Sequence, residues 1–133
     1  MGEAPPRPAA PGEGLAPDQR LRRRADFLRC YRQGRRRHGA LAVLHVAPNG
    51  LEQPRLGVTA SRKVGKAVER QRLKRRVREI FRRWEQRSSL PAIDVVVHLK
   101  PEAAQADFAS LQGELAHLLG SLLLDRRRDG RAS

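Results

Sequence analysis

The chain has 133 residues and sets 28 Lys and Arg against 14 Asp and Glu, a net charge of +14. That length suits one domain with its own core and no staple of disulfides or metal, and a hydrophobic fraction of 39% excludes a wholly disordered polycation. No stretch approaches the roughly 20 apolar residues of a membrane span, and the lone Cys30 allows neither an intrachain disulfide nor a four-thiolate zinc site.

Residues 1–19 form a proline-rich tail with little to bury, expected to be disordered. The start lacks the basic-then-apolar pattern of a secretory signal, so cytoplasm is the expected compartment. Residues 20–124 read as a single α/β domain, and 125–133 as a flexible basic tail.

Within the domain, Asp26 to Gln33 predicts a short helix ended by Gly34, with Phe27 and Tyr31 on one face. Arg35–His38 reads as a short edge strand. Ala40–Val46 and Leu56–Ala60 read as strands, separated by the turn residues Pro48-Asn49-Gly50. From Lys66 to about Gln86 the period becomes helical: Leu73, Val77, Ile80, Phe81 and Trp84 make one apolar stripe. Ile93–Leu99, with three consecutive valines, predicts a central strand. A last helix carries Phe108, Leu111, Leu115, Leu118, Leu119 and Leu122 on one stripe, despite Gly113 and Gly120. The expected fold is a two-layer α/β (α+β) sandwich: a small mixed, four-stranded sheet packed with helices.

The charge is concentrated. Arg62–Arg87 holds twelve basic and three acidic residues, a net +9. Arginine makes up most of the basic excess, and its planar fork of donors suits phosphate oxygens. A charge run is often only a solvated helix face. Here few acids are available to pair with, so the like charges repel unless a polyanion is present, which points to nucleic acid. Ser61, Arg62 and Lys63 precede Gly65 and a helix start, an arrangement able to hold a phosphate. Arg70 and Arg72 lie about 200° apart on a helix, so they reach different phosphates. Phe27 and Tyr31 read first as core packing of their helix; at the edge of a basic surface, with Arg29 and Arg32 beside them, rings can also stack on single-stranded bases. His38, His45, His98 and His117 are dispersed, and Asp26, Asp94 and Asp107 form no evident carboxylate pair. No catalytic residue and no metal site is expected on this chain.

Two stretches, Leu21–Tyr31 and more strongly Leu56–Glu79, make the chain resemble the protein subunit of bacterial ribonuclease P. In the second, a strand, a Lys-x-Gly step and an arginine-rich helix follow at fixed spacing. The resemblance covers about Leu21 to Leu124. It implies a left-handed βαβ crossover, as in ribosomal protein S5 domain 2-like folds, against the right-handed rule. It also implies a catalytic RNA subunit as partner, Mg2+ held mainly by that RNA, and precursor tRNA as substrate. The holoenzyme is an endoribonuclease that removes the 5′ leader by hydrolysis and leaves a 5′ phosphate. Arg62, Lys63, Lys66, Arg70, Arg72, Lys74, Arg75 and Arg76 match the motif that faces the catalytic RNA. Phe27 and Tyr31 match aromatic positions of the leader cleft, where Arg29 and Arg32 are also expected. The family pattern carries asparagine where this chain has Lys66 and Gln71.

Other readings stand beside this one. A non-enzymatic RNA-binding protein of the ribosome or another ribonucleoprotein has the same composition. A DNA-binding helix over Lys66–Arg83 fits poorly with the valine-rich strand, and DNA is not expected as a partner. A protein-only nuclease lacks clustered acids or histidines, and no membrane partner is expected.

Overall fold

A computed structural model describes residues 19–132, with side chains as far as residue 123. The expected N-terminal tail therefore lies outside the described residues, apart from Gln19. In chain order the elements are α1 (Arg24–Gln33), β1 (Arg35–His38), β2 (Ala42–Pro48), β3 (Arg55–Ala60), α2 (Ala67–Arg83), β4 (Ile93–Leu99) and α3 (Phe108–Ala132), with short 3-10 helices at Arg62–Val64, Glu85–Ser89 and Pro101–Gln105. The backbone of α3 thus continues past residue 124, where the sequence reading ended the domain. The long basic helix is shorter than expected. Trp84 caps it in an extended conformation, and a 3-10 helix follows.

The four strands form one mixed sheet in the order β1-β2-β4-β3. β1 pairs with β2 and β2 with β4, both antiparallel. β3 and β4 are parallel neighbours, and α2 makes the crossover between them. β4 is paired along both edges and covered on both faces, which is why its sequence is continuously apolar rather than alternating.

One face of the sheet carries Ala42, Leu44, Leu56, Val58, Ile93, Val95, Val97 and Leu99, packed with Leu73, Val77, Ile80 and Phe81 of α2 and Leu111, Leu115, Leu118, Leu119 and Leu122 of α3. This is the helix layer that the two apolar stripes predict, except that Phe108, placed on the second stripe, stands exposed at the first residue of α3 and outside the core. Each of the packed side chains larger than alanine contributes about 1.5–3 kcal/mol on burial. α1 lies on the other face, where Leu21, Cys30, Phe27 and Tyr31 pack against Ala47 and Val96.

Gly34 ends α1, but not through a left-handed cap: its backbone is extended. A Cβ there would stand 2.3 Å from the Cys30 carbonyl oxygen and 2.7 Å from that of Val46, so only glycine lets α1 pass so close to β2. The β1–β2 turn is held from the far side. Glu114 of α3 accepts from the backbone N–H groups of Ala40, Leu41 and Ala42 at 2.8–2.9 Å, and Lys100 Nζ donates to the Gly39 carbonyl at 2.7 Å. β1, a short edge strand, is thereby fixed to the core.

Candidate nucleic-acid interface

The approach to α2 is built locally. Ser61 follows β3 and its Oγ accepts from the Lys63 N–H, which starts a 3-10 turn closed by Gly65. Gly65 (φ 155°) faces the Glu69 carboxylate, and a Cβ there would meet Glu69 Oε1 at 2.5 Å. That oxygen accepts the backbone N–H of Lys66 at 3.0 Å. The side chain at the N-cap, an ammonium, has no acceptor of its own. Glu69 therefore caps the helix start, and its carboxylate takes up one of the backbone N–H groups that the sequence reading offered to a phosphate.

Along α2, Arg72 and Arg75 are exposed, as are Arg62, Lys63 and Lys66 before it. Arg70, Lys74, Arg76 and Arg78 are half-buried. Glu79 pairs with Arg82 and with Arg83, the latter at 3.0 Å, and the Arg82 hydrogen bond is the main reason its carboxyl is held below its ordinary range. No ion pair with a carboxylate among the described residues engages Arg70, Arg72, Lys74, Arg75, Arg76 or Arg78. Six cations thus share one helix without internal compensation.

Crowding shows in their ionisation. Burial, followed by the charges of Arg78 and Arg70, lowers the Lys74 pKa. Burial, followed by Arg20 and Arg75, lowers that of Arg78. Arg20 lies beside β3, where it bridges to Leu56, so a cation from the N-terminal segment joins the column Arg70–Lys74–Arg78. The Arg70 Nε is buried without a hydrogen-bond partner among the described residues.

On the opposite face, strand register lays out two rows of side chains under α1. Arg36, His45, Val96 and Gly57 are neighbours across the sheet; so are His38, Val43, His98 and Thr59. Phe27 lies on Gly57, where a Cβ would stand 2.6 Å from its Cε1. Tyr31 stands edge-on to His45 at 4.5 Å, and its hydroxyl meets Thr59 Oγ1 at 2.7 Å. Thr59 Oγ1 in turn lies 2.9 Å from His98 Nδ1. Phe27 and Tyr31 are both half-buried, so each ring packs on the sheet and keeps part of its surface in solvent. Burial raises the Tyr31 pKa, more than the Thr59 hydrogen bond lowers it.

Arg29 departs from expectation. Its guanidinium bonds to the carboxylate of Asp94 and the Pro48 carbonyl, with Asp26 at 3.7 Å. It anchors α1 to the sheet, while Arg32, one turn on, is exposed. His45 and His98, which alternation alone marks as strand residues, line the floor of the cleft. Only the fold reveals this, because the signal lies in their pairing with Tyr31 and Thr59.

Among the described residues no three His, Cys, Asp or Glu side chains gather as a metal site. No helix among them is long and apolar enough to cross a membrane.

A family model described as Ribonuclease P matches residues 15–123. The chain belongs to the ribonuclease P protein family. The ribonuclease P protein component of Thermobifida fusca is 40% identical over 121 residues, covering 84% of this chain and 81% of that protein. The component from Desulfovibrio desulfuricans is 41% identical, covering 84% and 95%. Among solved structures, the Staphylococcus aureus RNase P protein superposes with a TM-score of 0.70 at 31% identity, covering 77% of this chain and 93% of that one. The Thermotoga maritima RNase P protein gives 0.66 at 36%, covering 78% and 94%. Membership in the ribonuclease P protein family carries RNA binding and tRNA processing with it. None of these relatives favours the ribosomal alternative.

Proposed function

We propose that this chain binds the catalytic RNA of ribonuclease P through Arg62, Lys63, Lys66, Arg70, Arg72, Lys74, Arg75 and Arg76. In the same complex Phe27 and Tyr31, with Arg32 nearby, hold the 5′ leader of precursor tRNA against the sheet. The observation that carries this reading is the set of α2 cations from Arg70 to Arg78 with no carboxylate among the described residues to answer them. Phosphate oxygens supply the missing counter-charge, and arginine forks bind them with paired donors.

The cleavage itself belongs to the RNA. The buried Asp94 carboxylate is already engaged by Arg29, Arg55 and Asn49. Divalent ions held by the catalytic RNA supply the hydrolysis that leaves a 5′ phosphate. The protein's part is to screen two polyanions from each other and to hold the leader in place, and the cytoplasm is where such precursors would be met.

Reconstitution tests this. Mixed with the cognate catalytic RNA at low magnesium, the protein should restore cleavage of precursor tRNA that the RNA alone performs poorly. Equal rates with and without protein would reject the reading.

A further inference from the structure

Resting on the leader-cleft reading, we propose that Arg36, on β1, is a phosphate contact for single-stranded RNA at the edge of the cleft remote from Arg62 and Lys63.

Side chains on β1 alternate between faces. Register sets Arg36 opposite His45 and His38 opposite Val43. His45 stands under the Tyr31 ring, so its neighbour Arg36 belongs to the α1 face of the sheet. Beyond Tyr31 that face continues as the strip His38–Val43–His98–Thr59, which runs straight across all four strands. At the β3 end it leads to Ser61, Arg62 and Lys63. At the β1 end it leads to Arg36 and His38. Both ends are basic, and between them lie Val43, His98 and the Thr59 hydroxyl.

Arg36 is exposed and makes no ion pair with a carboxylate among the described residues. Its strand is fixed by Glu114 and Lys100 at the following turn, so the cation is presented from a rigid edge. Three inter-strand spacings separate β1 from β3, roughly 14 Å. That distance matches about four stacked nucleotides at ~3.4 Å each. A strand lying across the sheet thus meets Arg62 and Lys63 at one end and Arg36 at the other, with the Phe27 and Tyr31 rings beside its path.

The test uses the reconstituted holoenzyme and three protein variants, Arg36→Gln, Arg36→Lys and Phe27→Ala. Binding is measured for precursor tRNA with a ten-nucleotide leader and for mature tRNA, over a series of salt concentrations. Arg36→Gln should weaken precursor binding about 3- to 10-fold, leave mature tRNA unchanged, and reduce the salt slope for precursor by about one. Arg36→Lys, which keeps the charge, should recover most of the loss. If Phe27→Ala lowers the preference for precursor while Arg36→Gln does not, the contact is refuted and the cleft stands. If neither variant changes that preference, the cleft reading fails and the Arg36 contact with it.

Discussion

Arg55 grips Asp94 with two prongs: Nε donates to Oδ1 at 2.8 Å and Nη2 to Oδ2 at 2.7 Å. The carboxylate is fully buried and also receives Arg29 from α1 and Asn49 Nδ2 at 3.0 Å. One acid at the start of β4 therefore ties the cleft's helix to β3 and to the β2–β3 loop. Hydrogen bonding to Asp94 is the main reason the Arg55 pKa is raised.

Asp94→Asn keeps the shape and removes the charge. Breaking a buried pair by removing one partner costs about 3–5 kcal/mol. The arginine side chains retain 29% and 19% exposure, so the low end of that range is expected, about 3 kcal/mol in urea unfolding. A loss below about 1 kcal/mol would mean that Asp94 does not hold α1 in place.

Arg70→Ala with Arg72→Ala should separate binding from folding. Arg72 is exposed, and the orphaned Nε of Arg70 is a burial cost rather than a gain. The double variant should therefore be at least as stable as the native chain. Its affinity for the catalytic RNA should fall on the order of 10- to 100-fold, with a salt slope shallower by about two. Unchanged affinity in a titration at moderate salt would remove both residues from the interface.

Phe27 has a packing role and a proposed stacking role, and two substitutions tell them apart. Phe27→Leu keeps apolar bulk over Gly57 but loses the flat ring. It should cost precursor binding about 1 kcal/mol or more, as stacking contacts do, and spare mature tRNA. Phe27→Ala should cost both leader preference and stability. Equal losses for precursor and mature tRNA in either variant would leave packing as the only role.

The sequence made legible what depends on local pattern. Ile93–Leu99 shows itself as a central strand because both of its faces are covered, and the stripe from Leu73 to Phe81 shows itself because α2 has only one buried side. The polar arc of α2 was equally readable. What stayed hidden depends on distant partners. Arg29 looks like one more cation beside Phe27 until Asp94, 65 positions away, is brought against it. Gly34 marks the end of α1 correctly, but the reason lies in β2 rather than in its own dihedral angles. His45 and His98 become cleft residues only through register, and Arg20 joins the cations of α2 only through its bridge to Leu56. Trp84 fits the helical stripe yet falls outside the helix, because it still packs against the core after the chain has turned.

Glycines separate space from strain. Gly113 and Gly120 lie inside α3, and a Cβ added at either would meet nothing within 4 Å. Alanine at either should raise stability by up to about 1 kcal/mol through helix propensity alone. Gly34→Ala drives a methyl into two backbone oxygens that cannot rotate away, and should cost about 1–3 kcal/mol or more. Thermal unfolding of the three variants checks both signs; a stabilised Gly34→Ala would contradict the close approach of α1 to β2.

His45 predicts how acid acts on the fold. The residue is 8% exposed, its Nδ1 has no partner among the described residues, and its pKa is lowered first by burial and then by the charges of Arg36, His98 and His38. The unfolded chain therefore binds a proton at this residue more readily than the folded one. Its contribution to stability is complete above the unfolded value of about 6.5 and is lost as pH falls below that value toward the folded pKa. One proton limits the slope to about 1.4 kcal/mol per pH unit. Unfolding free energies of the native chain and of His45→Gln, measured from pH 7.5 to pH 5, should therefore diverge in slope, with the native chain losing stability faster toward acid. Parallel curves would show that the ring accepts a proton as easily in the folded protein as in the unfolded one, and that neither its burial nor the Arg36 charge acts on it.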